Sequence, residues 1–561
     1  MQLESTPPLG YCIPPRTPHA LLNSLPTWED NIAICMGNAP KINKETSYPR
    51  FCIHPDINKL VASLSTALGI KENERCFLFL SSSQANEFHD YVSLNFPCAS
   101  CIIRDATAVA CAPPGQPIFA ALFTAEFRGA MRFYTFSGNG ISPRLAEVCL
   151  KRQAGATDTP VVLPQPVGHC YGDYYVRNTP LTSASDAKRV LRARFAGIVG
   201  SESIRGVLGT SADDVYLYSS GMQAIWRSHK LLAATIGCNF SAKRKVAHIN
   251  LLYCDTYKFL DLPDGTGYHF FTDDALDELE ALLQTGTQED PAVFAIYTDI
   301  PGNPHLRTVN LPKLYQLAQC YNVPLVIDET VGGFLNVQIL PYCDVVVSSL
   351  SKLFSGNANV LGGATLLNPA SRFYQIFKTH LEKTYEDTLF SHDALLLEMN
   401  SREYVQRTTV INRNTERLAD MLYPLSQAGG VTTSVLKAVH YPKYRSTDNY
   451  NLLRTPPDVA LKAGLPEGKT GYGGLLSVTF ATLPAAKAFY GALECYKAST
   501  LGTVFTLATA FCAIAFPPDK MEWIEERGVE ESLIRFSVGM EDVETVLECV
   551  RKALEVAQEV E

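Results

Sequence analysis

The sequence predicts an α/β fold in which a mainly parallel sheet carries helices on both faces, with a smaller C-terminal α+β domain and an N-terminal extension. Three observations lead to this fold class. Short apolar, β-branched segments alternate with helix-like segments from about residue 205. Closely spaced prolines interrupt the chain near residue 160, and the pattern changes again after about residue 385. Such alternation favours parallel strands because each crossover helix covers one face of the sheet.

The size and charge of the chain argue against some classes of protein. With 561 residues the chain is too long for one ordinary hydrophobic core, so we expect several structural units. Its 46% hydrophobic and 19% charged residues are typical of a globular protein, and its net charge of −9 argues against a nucleic-acid binder. The longest apolar run, Val504–Phe516, is shorter than the roughly 18 residues of a membrane span. We therefore expect no membrane partner.

The cysteines and the N-terminus predict a cytoplasmic protein. The 16 cysteines are scattered along the chain rather than framed as disulfide pairs. Met1–Pro8 lacks the basic and then apolar order of a signal peptide. Cys98, Cys101 and Cys111 have zinc-like local spacing, but the sequence offers no second C-x-x-C pair to complete four ligands. We predict reduced thiols and no metal site.

Residues 1–165 form the predicted N-terminal α/β extension, to which the sequence assigns no role. Residues 1–50 are rich in proline and polar side chains. Asp56–Leu68 has the apolar spacing of a helix, and Arg75–Leu80 has the composition of a strand. The prolines of Thr157–Pro166 cannot continue a helix or a central strand, so they predict a linker and a boundary near residue 165.

Residues 206–385 carry the alternating pattern that predicts the main sheet. The predicted strands are Asp214–Tyr218, Val246–Tyr253, Ala292–Tyr297, Val323–Asp328 and Asp344–Val347. Leu311–Tyr321 is a predicted crossover helix, which Asn310 caps and Pro312 starts.

Residues 386–561 form the predicted C-terminal α+β domain. Its predicted elements are a helix around Asp393–Met399, the strands Leu475–Phe480 and Leu533–Ser537, and a closing helix from Glu541 to about Glu559.

Two strand ends carry the residues that predict the chemistry. Asp328 closes one apolar strand, and Lys352 follows another shortly afterwards. Because the carboxyl ends of parallel strands meet at one edge, we expect both side chains at one site. A lysine that forms an imine and an aspartate that keeps a pyridine nitrogen protonated are what pyridoxal 5'-phosphate (PLP) requires. A surface lysine and a strand-end cap are the ordinary alternatives for each residue alone.

Other strand ends add compatible features. Ser220 and Gly221 open a helix after the first strand, where unpaired backbone N–H groups suit a phosphate. Tyr257, after the second strand, offers an aromatic ring that stacks on a planar cofactor. Asn303 follows the third strand in a rigid turn. Each signal is weak by itself, because helix starts, structural tyrosines and Asn-Pro turns are common.

Together these residues resemble the Cys/Met-metabolism (trans-sulfuration) PLP-dependent enzymes of fold type I, and most resemble the long fungal cystathionine gamma-synthases. The resemblance covers nearly the whole chain, including Ile13–Ala20, Leu25–Trp28 and Tyr48–His54, and is most specific in Ser348–Gly363. It implies a PLP-binding domain at 206–385, a substrate-binding domain at 386–561 and an inter-subunit arm at 166–205.

The resemblance also implies roles for individual residues. Lys352 is the Schiff-base lysine, Asp328 contacts the pyridine nitrogen, and Tyr257 lies on the ring face. The remaining implied cofactor contacts are Ser220, Gly221, Met222, Asn303, Ser349 and Ser351. Arg535 holds the substrate carboxylate beside Thr500. Tyr175 and Arg177 match a Tyr-x-Arg motif that reaches a neighbouring subunit's phosphate, so the resemblance implies a homo-oligomer, either a dimer or a tetramer of two dimers.

The implied reaction is a γ-substitution on an O-acyl-L-homoserine, with cysteine as the nucleophile and cystathionine as the product. An enzyme of specialised metabolism that uses another thiol, an amine or a carbon nucleophile is the second interpretation. Ser351 and Thr500 replace the threonine and serine that are usual at these positions. A third interpretation comes from Ser349-Leu-Ser-Lys352 and Lys469-Thr-Gly471, which match the S-x-x-K and K-T-G motifs of serine acyl-enzymes. It predicts a helix that begins at Ser349.

Overall fold

The computed structural model describes residues 2–38, 46, 48, 52–156, 183–236, 244–262 and 265–560. The predicted boundary near residue 165 and the whole predicted linker, Thr157–Pro166, lie outside these residues, as do Tyr175 and Arg177. Within the described residues, the elements form an N-terminal subdomain, a central sheet with its helices and a C-terminal domain.

The helices and strands are numbered in chain order. The helices are α1 Trp28–Ala33, α2 Pro55–Leu68, α3 Ser82–Asn95, α4 Phe127–Ser137, α5 Pro143–Gln153, α6 Ala184–Phe195, α7 Gly221–Thr235, α8 Cys254–Leu260, α9 Leu276–Leu283, α10 Leu311–Cys320, α11 Tyr374–Thr384, α12 Ser391–Ser401, α13 Tyr404–Leu422, α14 Thr447–Asn451, α15 Pro457–Lys462, α16 Leu483–Ala492, α17 Phe511–Ala515, α18 Met521–Glu525 and α19 Val543–Gln558. The strands are β1 Cys12–Ile13, β2 Leu22–Asn23, β3 Arg75–Phe79, β4 Cys101–Asp105, β5 Phe119–Phe123, β6 Ile198–Val199, β7 Glu202–Ser203, β8 Val215–Tyr218, β9 Val246–Ile249, β10 Tyr268–Phe271, β11 Ile296–Asp299, β12 Leu325–Asp328, β13 Val345–Ser349, β14 Gly363–Leu367, β15 Leu436–His440, β16 Leu475–Phe480, β17 Tyr496–Lys497, β18 Leu507–Ala510 and β19 Leu533–Ser537.

The central sheet confirms the predicted fold class. Its seven strands run in the order β10-β9-β11-β12-β13-β14-β8, and only β14 is antiparallel to its neighbours. Buried apolar side chains fill both faces, one beneath α6, α9 and α10 and the other, rich in aromatic rings, beneath α7 and α11. A sheet covered on both faces explains why these strands read as continuous apolar runs.

Two predicted strand bounds were wrong in a way that matters for the site. The strand predicted as Val246–Tyr253 ends at Ile249, because the chain turns at Asn250, which has a positive φ of 59°, and continues into α8. The strand predicted as Ala292–Tyr297 lies later, at Ile296–Asp299. Because of these errors, the residues expected at the two strand ends were not the residues that lie there in the structure.

The N-terminal region contains two different structures. Residues 55–153 form a three-stranded antiparallel sheet, β3-β5-β4, packed by α2 to α5. Its phenylalanines continue the core on one face of the central sheet through Phe133 and Trp226, whose rings are 6.1 Å apart. This subdomain and the central sheet therefore share one hydrophobic core.

Residues 2–38, with residues 46 and 48, contact both the N-terminal subdomain and the C-terminal domain, and we call them the N-terminal strap. Its short hairpin β1–β2 buries Ile13 and Leu22 against Tyr496, Phe505 and Leu507 of the C-terminal domain. The Leu21 N–H donates to the Ala358 carbonyl at 2.8 Å, and the Leu25 N–H donates to the Lys497 carbonyl at 2.9 Å. The strap thus joins the segment after Lys352 to the segment before Thr500.

The C-terminal domain is a five-stranded sheet in the order β15-β16-β19-β18-β17, covered by α13, α16 and α19. The long apolar run at Val504–Phe516 forms β18 and α17 within this domain. In the part of the chain that the structure describes, no helix has the length and apolar character to cross a membrane.

Candidate active site

A cleft with about 750 Å³ of space, part of it open to solvent, lies at the carboxyl edge of the central sheet. Residues from three regions line it: the sheet, the C-terminal domain and the strap. They are Tyr48, Gly221, Met222, Ile225, Tyr253, Asp299, Asn303, Asp328, Thr330, Val331, Ser349, Lys352, Ser499, Thr500, Leu501 and Arg535. The structure therefore brings Asn303, Asp328, Lys352 and Arg535 together, although Asn303 and Arg535 are 232 positions apart in sequence.

Lys352 lies in a turn just beyond β13, with its amine directed into the cleft. Its Nζ donates a hydrogen bond to the Thr500 hydroxyl oxygen at 2.6 Å. The ring of Tyr48 is 5.1 Å from Nζ, measured to the ring centroid. Ser349 ends β13 and no α-helix begins there, so the helix required by the serine acyl-enzyme interpretation is not formed.

Two carboxyl groups form the floor of the cleft. Asp328 ends β12 and lies directly beside Asp299 at the end of β11. The Asp328 Oδ1 atom accepts the Thr330 N–H at 2.8 Å, yet burial raises the pKa of this carboxyl to about 6. Burial and the Asp328 charge raise the pKa of Asp299 well above its ordinary range. A cation above this floor would relieve the cost of the buried charge.

The N-terminus of α7 closes one end of the cleft. Gly221 fits there because an added Cβ atom would be 2.6 Å from the Ser349 Cβ atom. The backbone N–H groups of this first turn have no partner within the helix, which suits a phosphate. Met222 also lines the cleft, but Ser220 does not. The Ser220 oxygen instead caps the helix by accepting the Gln223 N–H at 3.1 Å.

Two aromatic residues of the described chain line the cleft, Tyr48 and Tyr253, whereas Tyr257, which was predicted for the ring face, does not line it. Tyr253 lines the cleft in the connection between β9 and α8, where its N–H donates to Asp299 Oδ2 at 2.8 Å. Tyr257 lies one helical turn further on and packs in an aromatic cluster, with its ring 5.3 Å from that of Trp523. The strand ended four residues earlier than predicted, so the first aromatic after it was missed.

Arg535 lies on β19 and enters the cleft from the C-terminal domain. Its Nη1 donates to Asn303 Oδ1 and its Nη2 donates to the Thr500 carbonyl, both at 3.0 Å. Its Nε is buried and has no hydrogen-bond partner in the described chain. Burial lowers the pKa of this guanidinium to about 10, which leaves it protonated at neutral pH. A charged donor in a cleft is suited to a carboxylate.

Ser351 faces away from the cleft, whereas Thr330 organises its floor. The Ser351 hydroxyl donates to the Gly362 carbonyl at 3.2 Å and accepts the Gly362 N–H at 3.0 Å, so it holds the loop after Lys352. Thr330 Oγ1 accepts the Ser349 N–H at 2.9 Å. Thr330 therefore links the end of β12 to the end of β13, a role that sequence analysis missed.

Beneath this floor a buried ion pair holds the end of β12. Arg205 donates to both carboxylate oxygens of Glu329, at 2.9 and 2.7 Å. The guanidinium lies between the rings of Phe195 and Phe334, 5.1 and 4.7 Å from their centroids. Glu329 directly follows Asp328. The Arg205–Glu329 pair therefore fixes the backbone that carries the Asp328 carboxyl group.

Asp299, Tyr48, Ser499 and Leu501 also line the cleft without having been predicted. Asp299 could have been found as an acid at the end of a buried strand if the bounds of that strand had been right. Tyr48, Ser499 and Leu501 lie in irregular segments, which carry no periodic signal.

Metal-ligand side chains come together at one place in the described chain. His19, His54 and Asp56 meet where the strap reaches the start of α2. His54 Nδ1 accepts the Asp56 N–H at 3.2 Å, and the His19 Nε2 donates to Glu147 at 2.9 Å. Both histidines are thus held by protein groups, while the buried His19 Nδ1 has no hydrogen-bond partner among the described residues.

The cleft fits PLP by the chemistry of its donors. An amine, a buried carboxyl whose charge needs a cation, a glycine-started helix and an aromatic ring line one cleft. Lys352 would bond the aldehyde carbon, Asp328 would hold the pyridine nitrogen, and the α7 N-terminus would hold the phosphate.

Comparisons with known proteins agree with this fit. Residues 207–555 match the family model for Cys/Met metabolism PLP-dependent enzymes, and residues 56–142 match the model for the N-terminal domain of fungal trans-sulfuration enzymes. The chain is 37% identical to a cystathionine gamma-synthase-like enzyme of Amanita muscaria, covering 100% of this chain and 99% of the relative. It is 30% identical to the cystathionine gamma-synthase of Neurospora crassa, covering 98% of each.

A solved structure shows the same fold. The putative O-acetylhomoserine (thiol)-lyase of Campylobacter jejuni superposes with a TM-score of 0.53 at 21% identity, covering 66% of this chain and 86% of that one. The fold, the geometry of the cleft and the family match lead to one conclusion: the chain belongs to the Cys/Met metabolism family of PLP-dependent enzymes.

Proposed function

We propose that this enzyme catalyses γ-substitution on an O-acyl-L-homoserine, with cysteine as the nucleophile, to give cystathionine. The observation that carries the proposal is that Lys352, Asp328 and Arg535 line one cleft. These residues supply a base, a partner for a protonated pyridine and a carboxylate-binding cation. The name of the Neurospora relative, a cystathionine gamma-synthase, supports the choice of reaction.

In this proposal bound PLP supplies the electron sink that makes the α-proton of an amino acid removable. Arg535 binds the α-carboxylate through its guanidinium, whose present partners are an amide oxygen and a carbonyl oxygen. Lys352 Nζ removes the α-proton when its amine is free, and the Thr500 hydroxyl orients that amine. Asp328 keeps its negative charge beside the pyridine nitrogen because the cation offsets the cost of burial.

The cofactor contacts are part of the proposal. Gly221, Met222, Ser349 and the first turn of α7 would hold the phosphate, and Tyr253 would take the ring-face position first assigned to Tyr257. Ser220 and Ser351 act on the surrounding backbone, because their hydroxyls bond within the protein. Residues 184–205 pack on the central sheet of the same chain through α6 and the Arg205–Glu329 pair, so the inter-subunit arm predicted at 166–205 is proposed only for residues 166–182, with Tyr175 and Arg177 reaching the phosphate of a neighbouring subunit. Light scattering of the purified enzyme distinguishes a dimer or tetramer from a monomer. A cytoplasmic location stays a proposal.

An absorbance spectrum tests the cofactor chemistry. Purified enzyme supplied with PLP is expected to show a band near the visible edge that disappears on borohydride reduction and in Lys352→Ala. The matched control is Lys462→Ala, which removes a surface amine that donates to Glu202. This variant is expected to keep the band. A Lys352→Ala protein that keeps both the band and its sensitivity to borohydride would contradict the assignment of Lys352.

A second candidate function differs in the nucleophile. The identity to the Amanita enzyme, which is described only as cystathionine gamma-synthase-like, exceeds the identity to the Neurospora synthase, 37% against 30%. This favours a specialised enzyme that uses another thiol, an amine or a carbon nucleophile. Offering O-acetyl-L-homoserine with cysteine, other thiols, amines and carbon acids in turn, and identifying products by mass, separates the two. The cystathionine proposal fails if cysteine is ignored while another acceptor reacts.

A further inference from the structure

The strap supplies an aromatic ring to the amine at the centre of the site. Tyr48 lines the cleft together with Lys352, Thr500 and Arg535. Its ring centroid is 5.1 Å from Lys352 Nζ, within the range of a cation–π contact. Tyr48 lies outside the matched PLP-dependent region, which begins at residue 207, and outside the matched N-terminal domain, which begins at residue 56. Neither family model covers this position.

The position of Tyr48 is fixed from both sides. Two residues before it, Thr46 is buried and its hydroxyl donates to the Ala20 carbonyl. The Tyr48 carbonyl accepts the Cys52 N–H at 3.1 Å, just before His54 caps α2. Ala20 is itself anchored, because the next residue, Leu21, donates to the Ala358 carbonyl. The contacts that place the ring therefore run back to the loop that follows Lys352.

The ring faces a group whose charge must change during the reaction. A lysine that removes an α-proton becomes an ammonium, and this charge has to be held in a half-closed cleft beside the Arg535 guanidinium. The negative face of an aromatic ring attracts an ammonium, and the Thr500 hydroxyl oxygen accepts a hydrogen bond from it. A ring at this distance stabilises the protonated amine relative to the neutral one.

We propose that Tyr48 is a catalytic residue, whose ring holds the protonated amine of Lys352 after the α-proton has been removed. This proposal rests on the PLP-dependent function proposed above but not on the identity of the nucleophile. It gives the strap a chemical role in addition to its packing. It also assigns the role to the face of the ring, so the phenolic hydroxyl is dispensable.

Exchange of the α-proton of L-alanine in deuterium oxide tests this role. Alanine has no γ-substituent, so its exchange reports proton transfer at Lys352 without γ-substitution. In PLP-loaded enzyme, Tyr48→Leu is expected to slow exchange about 3- to 30-fold, the equivalent of a cation–π contact. The acid limb of its pH profile should move to lower pH, since the ammonium form has lost its partner. Tyr48→Phe is expected to exchange within about 2-fold of the unaltered enzyme, at the weak end of that range.

Two further variants separate ring chemistry from folding. Phenylalanines with one, two and five fluorine atoms at position 48 keep the shape of the ring while weakening its negative face, and exchange should slow in that order. Tyr11→Leu alters a partly exposed tyrosine of the same strap and should leave exchange unchanged. Equal rates across the fluorinated series would overturn the proposal even if Tyr48→Leu fails to fold. If alanine exchanges normally but no nucleophile gives a γ-product, the proposed reaction fails while the role of Tyr48 stands.

Discussion

The two sides of the cleft differ in how the chain builds them. The sheet side comes from residues at the carboxyl ends of buried strands, such as Asp299, Asp328 and Ser349. The strap side comes from short irregular segments held by isolated backbone hydrogen bonds and a small apolar cluster. The comparison teaches that the central sheet positions the groups that bind the cofactor, while the N-terminal strap lines the space around the Lys352 amine. Variants on each side test this division.

The largest expected effect is on the sheet side, at the buried ion pair. Glu329→Ala leaves the Arg205 guanidinium buried without its carboxylate. We expect the free energy of unfolding to fall by about 3–5 kcal/mol, measured by urea denaturation. Breaking the exposed pair of Asp186 and Arg189 with Asp186→Ala should cost at most about 1 kcal/mol. Similar losses in both variants would show that β12 does not depend on the buried pair.

A packing variant on the strap side should have the next largest effect. Leu22 is 2% exposed and packs against Tyr496, Phe505 and Leu507. We expect Leu22→Ala to lower the free energy of unfolding by about 2–5 kcal/mol, because the cavity loses apolar contacts. Leu461→Ala is the control, since Leu461 is 61% exposed and should change stability little. A neutral Leu22→Ala would mean that the strap is not seated on the C-terminal domain in solution.

Gly221→Ala tests the close approach of α7 to β13. The added methyl group would lie 2.6 Å from the Ser349 Cβ atom, so the helix start must move away from the phosphate position. We expect PLP affinity to fall about 10- to 100-fold, or roughly 1.4–2.8 kcal/mol, measured by fluorescence titration. Gly491→Ala in α16, where no atom lies within 4 Å, should instead leave PLP affinity unchanged and stabilise the helix by about 0.5–1 kcal/mol.

Substitutions at Tyr253 and Tyr257 should have different effects on PLP affinity, measured by titration with the cofactor. Tyr253→Leu removes the ring that lines the cleft, and we expect PLP affinity to fall about 3- to 10-fold, in line with a single aromatic contact. Tyr257→Leu removes the ring from its aromatic cluster and should leave PLP affinity unchanged, because Tyr257 does not line the cleft. The opposite result, with Tyr257 controlling the affinity, would restore the assignment made from sequence.

The smallest effect is a pH dependence of the PLP-free protein. Because the pKa of Asp328 is raised to about 6 by burial, its neutral form stabilises the fold at low pH, and that stability is lost as pH rises through about 6. Asp328→Asn cannot ionise, so PLP-free Asp328→Asn should melt above the unaltered protein at pH 7.5 and close to it at pH 4. Once PLP is added, the order at pH 7.5 should reverse, because the carboxylate then has its cation. A constant difference between the two melting curves at all pH values would contradict this.

The sequence predicted the sheet and the acids and bases of the site better than it predicted the aromatic contacts. Lys352 and Asp328 were identified because burial on both faces makes the preceding strands continuous apolar runs. Tyr253 was missed because Asn250–Tyr253 looks like a strand until the positive φ of Asn250 is known. Tyr48 follows no periodic pattern, and its place depends on hydrogen bonds to residues far away in sequence. Such contacts are set by tertiary structure, which local patterns do not encode.

The seating of Leu22 against Leu507 has a consequence during protein synthesis. The first hairpin leaves the ribosome long before its docking surface exists, because 507 − 22 = 485 residues separate the two leucines. At roughly 5–20 residues per second, the ribosome takes about 25–100 s to supply the partner. Throughout that interval the apolar side chains of the hairpin are exposed, so a chaperone that binds nascent apolar segments has a target near residues 13–22.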